Sequence, residues 1–198
     1  MKHAFTGRRQ GFDTTALLGL VCEPEQARVE LSAVEGRPEL HEELLHLLAR
    51  YGLSADMICG ANVSGASSRT DIYFTLLEGE IPRLRERLEL LGARLGARAV
   101  RVSGHLAKIS LVGTGIRSNP VLAAYVCRSL AQQDIQVAAL SVDALRVSCL
   151  VDGDAAELAV HILNDAFGLS GGGAIAAITP PRAEAPPAEP LQEEAAGG

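Results

Sequence analysis

The chain has 198 residues, 47% hydrophobic and 21% charged, with a formal charge of −6. That is enough apolar material to close a core without metal or disulfides, and it excludes disorder of the whole chain. Aromatic residues are only 4%, with no Trp, so rings for base stacking are scarce and the acidic balance opposes a phosphate-binding footprint; no nucleic-acid partner is expected. No run approaches the roughly 18 apolar residues of a membrane span and Met1–Asp13 is polar, so no membrane partner and a cytoplasmic location are expected.

Residues 1–13 read as an N-terminal arm, followed at 14–23 by an apolar segment, Thr15–Cys22 (TALLGLVC). Ala27–Val34 alternates Val29, Leu31 and Ala33 like a strand. Pro38 opens a helix with Leu40, Leu44, Leu47 or Leu48, and Tyr51 on one face, and Gly52 stops it. Ala55–Val63 and Thr70–Leu76 read as a hairpin around a Gly/Ser/Ala turn. Pro82 starts a helix with Leu84, Leu88, Leu91 and Leu95 on one stripe, and Ala99–Ser103 returns as a strand. Residues 24–104 thus predict βαββαβ.

A second unit spans 105–169. The strand LAKISLVG begins at Leu106, and the loop Gly113–Asn119 leads to a helix with Asn119 as N-cap, Pro120 in its first turn, and Leu122, Val126 and Leu130 on its stripe. Val137–Ser141 and Leu145–Val151 form a hairpin, and Asp154 with Glu157 suggests a capping arrangement for a helix ending near Phe167. This unit is one strand short. Either Ala174–Ile178 or the spare segment Thr15–Cys22 completes it; the N-terminal segment is favoured, because Ala174–Ile178 lies past Gly171-Gly172-Gly173 in a Gly/Pro/Glu-rich stretch, 170–198, that reads as a disordered tail. One arginine against Glu184, Glu189, Glu193 and Glu194 gives that tail half of the net charge.

The fold class expected is α+β, two ferredoxin-like units, each an antiparallel sheet with both helices on one face and the other face open. Their sheet edges predict a homodimer.

Several patterns with catalytic overtones fail on spacing. His41 and His46 are five residues apart and point about 140° from each other on a helix, so they cannot share a zinc ion. His161 and Asp165 share a face without a third member and predict an exposed i,i+4 contact. Cys22, Cys59, Cys127 and Cys149 form no C-x-x-C pair and read as buried free thiols. No phosphate loop or complete dinucleotide fingerprint is present. Hence no metal, no cofactor and no catalytic residues are expected. The loop at Gly113–Asn119 reads equally as a plain turn or as a helix-start site for a small carboxylate.

KISLVGTGIRSNP (Lys108–Pro120), followed by LRVSCLVDGDAAELAVHILNDAFGL (Leu145–Leu169), resembles the C-terminal regulatory region of aspartate kinases. LVCEPEQARVELSAVEGRP (Leu20–Pro38), NVSG and TDIYFTL fit the same pattern. The resemblance implies two ACT modules, the N-terminal strand completing the second. It also implies a short regulatory chain like the β subunit, which senses an amino acid, dimerises through its ACT sheets and serves a kinase-type catalytic subunit without being an enzyme by itself.

The effector-binding positions implied are Val34, Glu35, Gly36, Arg37 and Glu39, with Cys59 and Gly60 on the facing strand. In the second module they are Thr114, Gly115, Ile116, Arg117, Ser118 and Asn119, with Gln136 and Val137. Where the family carries an Asp for the ammonium and a Gly before the helix, this chain has Gly36 and Glu39; Val121 replaces another Gly. These departures keep open the alternative of a structural dimerisation or partner-binding module with decayed pockets.

Overall fold

A computed structural model of the chain describes residues 16–63, 69–116, 120–169 and 174–175. The strands are β1 (Ala16–Glu35), β2 (Asp56–Val63), β3 (Arg69–Leu77), β4 (Ala99–Thr114), β5 (Ala139–Val142), β6 (Arg146–Asp152) and the two-residue β7 (Ala174–Ile175). The helices are α1 (Leu40–Arg50), α2 (Ile81–Arg94), α3 (Pro120–Ala131) and α4 (Ala156–Phe167), with 3₁₀ turns at Glu78–Glu80 and Gly153–Ala155. The described residues form two compact units, one from Gln26–Gly104 and one from Ala16–Glu25 together with those between His105 and Ile175.

In the first unit the strands lie in the order β2-β3-β1-β4. Val29, Leu31, Ile72, Phe74 and Leu76 point to one side, where they bury Leu40, Leu44 and Leu48 of α1 and Leu84, Leu88 and Leu91 of α2. In the second unit the order is β5-β6-β4-β1. Leu20, Ile109, Leu111, Val147 and Val151 pack there against Leu122, Val126 and Leu130 of α3 and Ala159 and Leu163 of α4. Both units are ferredoxin-like, and the first half of β1 takes the fourth strand position of the second. The competing segment also joins the sheet: Ala174 and Ile175 pair in parallel with Leu20 and Val21, on β1. Two residues assigned to a tail are therefore strand. Residues 1–13 and the remainder of 170–198 lie outside the described residues.

The sequence divides what the fold joins. The breaks at Glu23-Pro24-Glu25 and Gly104-His105 are interior to β1 and β4, each of which serves both units. Glu25 (φ 55°) and His105 (φ 56°) are left-handed there, a local twist that lets a strand continue where its composition suggests an end. The Asp154–Glu157 capping pair does not form. Asp152 instead accepts the Asp154 N–H at 2.9 Å, and Gly168 closes α4 in the left-handed conformation that glycine tolerates.

The outer faces differ. In the first unit the face away from the helices carries the half-buried Arg28, Glu30, Ser32, Asp71 and Tyr73, with Arg28 5.6 Å from the Tyr73 ring centre. In the second unit the expected open face is closed: Lys108, Ser110, Ser148 and Leu150 are buried. Lys108 Nζ lies 2.8 Å from Glu23 Oε2 and the two serine hydroxyls are 2.8 Å apart, so the buried polar groups satisfy one another.

Helix α2 approaches β4 closely at Gly92, where an added Cβ would stand 2.3 Å from Val100 Cγ2. Val100 is β-branched and cannot easily swing aside. Gly92→Ala is expected to destabilise the chain by about 1–3 kcal/mol, read as a lower midpoint in urea unfolding; an unchanged midpoint would contradict this packing.

Candidate effector-binding site

The first candidate loop is shaped by a fault in strand pairing. Leu31 pairs with Ile72 and Val34 with Thr70, so β1 fits Ser32 and Ala33 opposite Asp71 alone. Ala33 adopts φ 49°. Its N–H donates to Asp71 Oδ1 at 2.6 Å, and its carbonyl accepts from Arg69 Nη1 at 2.8 Å. The extra residue resets the in-and-out alternation, so Val34, rather than Ala33, enters the core.

Beyond it, Glu35 is exposed and Gly36 half-buried. The Arg37 guanidinium bonds the Glu43 carboxylate, and Leu40 N–H closes a turn onto Arg37 O at 3.1 Å. Glu39 is the exposed residue at the start of α1, and its side chain caps nothing. A second fault, between Asp56 and Cys59 with Met57 at φ 46°, precedes the exposed Cys59 and Gly60. A Cβ on Gly60 would stand 3.7 Å from His41 Nε2 and 3.6 Å from Thr70 Cγ2. The structure thus brings Gly60 to the first turn of α1, through His41. Spacing in the sequence excludes His41 as a zinc ligand and assigns it no other role, and no sequence motif announces the strand bulge that brings Asp71 and Arg69 to Ala33.

In the second unit, Thr114 is exposed at the end of β4 and Gly115 turns the chain with φ 75°. Ile116 is core rather than pocket. Arg117, Ser118 and Asn119 lie outside the described residues. Gln136 is exposed before β5, and Val137 packs onto the core. Val121, in the first turn of α3, is 62% exposed.

Among the described residues, one group has metal-ligand character: His105, Asp152 and Asp154, all exposed, with ligand atoms within 4.8 Å of one another. Local hydrogen bonds already use them, His105 Nε2 with Asp154 Oδ1 at 3.0 Å and Asp152 with the Asp154 N–H. His161 and Asp165 make an exposed i,i+4 contact at 3.3 Å. No helix among the described residues is long and apolar enough to cross a membrane.

Residues 109–167 match the family model described as ACT domain. An aspartokinase of Helicobacter pylori is 30% identical over 165 residues, which are 83% of this chain and 39% of that protein. The chain resembles the regulatory region of aspartate kinases. Its structure superposes with a TM-score of 0.68 on a chain of the aspartokinase alpha and beta subunits, 29% identical, covering 77% of this chain and 99% of that one. The regulatory subunit of aspartate kinase from Thermus flavus shares the fold at 24% identity, with the same TM-score and coverage. Against the curated Helicobacter relative, this chain spans well under half the length.

The cysteines depart from the expectation of buried thiols: Cys149 is buried, Cys22 and Cys127 are intermediate and Cys59 is exposed. Burial pushes the Cys149 thiol up to about 12, helped by the neighbouring Cys127 and Cys22. Its pKa is raised in the native state, so the stability it contributes is complete below the ordinary thiol value of 9.0 and is lost as pH climbs toward about 12. Unfolding free energy is expected to fall over that window, with a Cys149→Ala variant showing a shallower slope in denaturant titrations at several pH values. Equal slopes would remove the thiol from the account.

Proposed function

We propose that the two units act as a regulatory, non-catalytic pair of ACT modules that binds a free amino acid, dimerises, and reports to a kinase-type catalytic chain. The observation that carries this reading is the fit to nearly the full length of a chain from the aspartokinase alpha and beta subunit structure. The geometry adds a chemical reason. The turn after the β1 bulge ends at the first turn of α1, whose positive end suits a carboxylate, and Gly60, with no side chain of its own, lies beside the His41 ring of that turn. Edge strands β2 and β5 present Ile58, Leu140 and Val142 at the surface, where a second copy can pair.

A second reading, a dimerisation module with pockets that no longer bind, is favoured by Glu39, which adds negative charge at the helix start that would receive a ligand's carboxylate, and by the exposed Val121. Linkage separates the two. A ligand at ten times its dissociation constant stabilises the native chain by about 1.4 kcal/mol, a rise of a few degrees in Tm. A thermal scan with each of the twenty amino acids is expected to find at least one such rise; none with any of them removes the sensing role and leaves the second reading. Where binding is found, Glu39→Gly is expected to tighten it roughly two- to fivefold by clearing the helix end of a competing charge. Weaker binding by that variant in calorimetric titration would place the ligand's carboxylate elsewhere.

A further inference from the structure

We infer that Asp71, with Arg69, is a positioning residue for the amino-acid site of the first unit: it fixes the conformation of the turn at residues 34–39 without touching the ligand. This rests on the effector reading above. Three observations carry it. The carboxylate of Asp71 and the guanidinium of Arg69 grip the N–H and the carbonyl of a single residue, Ala33. That residue is the one held left-handed inside the pairing fault of β1, a conformation an alanine does not favour by itself. Only the last two residues of β1, Val34 anchored in the core and Glu35 outward, separate it from the turn leading to α1.

Removing the fault would shift the alternation by one position, exposing Val34 and turning Glu35 inward. The direction in which the turn meets α1 and Gly60 would change with it. Asp71 therefore governs the site through backbone geometry. Its position on β3 is opposite Ala61 of β2, so the residue holding the turn also lies in the strand that pairs with the one carrying Gly60.

The test uses the full chain and four variants: Asp71→Ala, Asp71→Asn, Arg69→Ala and, as a control for general loss of stability, Leu163→Ala in the core of the second unit. Amide hydrogen exchange over residues 33–40 reads the turn, and calorimetric titration with each of the twenty amino acids reads the site. Loss of a charge-assisted hydrogen bond predicts that Asp71→Ala speeds exchange in that segment, and weakens amino-acid binding, by about tenfold or more. Asp71→Asn keeps an oxygen that accepts from the Ala33 N–H and is expected to recover most of both. Arg69→Ala changes an exposed residue and should show the same pattern more mildly, which decides the matter if Asp71→Ala does not fold.

The inference is overturned if exchange over 33–40 is unchanged in Asp71→Ala, if Asp71→Asn is no better than the alanine, or if Leu163→Ala has the same local effect. Faster exchange with unaltered affinity also overturns it, leaving the effector reading intact. If the unaltered chain binds no amino acid, the effector reading fails, and with it the role of Asp71 in binding; exchange then decides only whether the residue shapes the turn.

Discussion

In a pleated strand each residue sends its side chain to the face opposite its neighbour's, and the first unit depends on how β1 manages that alternation. Val29 and Leu31 face the helices, and strict alternation would send Ala33 after them. One additional residue, accommodated at Ala33 against Asp71, brings Val34 into the core instead. The left-handed alanine opposes this by about 1–2 kcal/mol, and the two hydrogen bonds to Ala33, both to side chains that bear charge, are of a size to offset it. A core position is thereby decided at one residue, two positions before the strand ends at Glu35. Unit-wide hydrophobic burial supplies the free energy of folding, but this local fault sets the path by which the chain leaves the sheet.

The second unit handles polarity differently. Its strands bury side chains on both faces, including Lys108, Ser110 and Ser148, so the face away from the helices cannot be treated as solvated. Burying a lone ammonium would be prohibitive, and the Glu23 carboxylate at 2.8 Å makes it tolerable. Such a pair contributes less to net stability than to uniqueness of register: a slip of β1 by one residue would remove Glu23 from Lys108 and leave a buried charge without compensation. Glu23 belongs to the first half of β1, so the ion pair also helps to place that segment beside β4 rather than elsewhere.

The resemblance to aspartate kinase regulation names loops, whereas the structure distinguishes among the residues in them. Val34 and Ile116 are core residues, and Arg37 is engaged with Glu43. Glu35, Glu39, Thr114 and Gln136 remain at the surface. The electrostatics at the start of α1 are unusual for an anion-binding turn, because Glu39 adds negative charge at the positive end of the helix. Gly60 and His41, 19 residues apart in sequence, are neighbours only because β2 folds back beside α1.

Periodicity alone determined most of the secondary structure. The leucine stripes of α1 and α2, the hairpin of β2 and β3, and the repeat of strand and helix were legible because burial on one face imposes spacing that a sequence records directly. The need for an outside strand in the second unit was also legible, by counting. Tertiary structure alone decided that Ala16–Cys22 and Ala27–Val34 are one strand, that Ala174–Ile175 joins the sheet as well, that Lys108 is buried, and that Asp71 holds Ala33. Each of these depends on which backbone groups meet across distances of tens of residues. A bulge or a buried ion pair has no period, so its physics is written in partners that the linear order does not reveal.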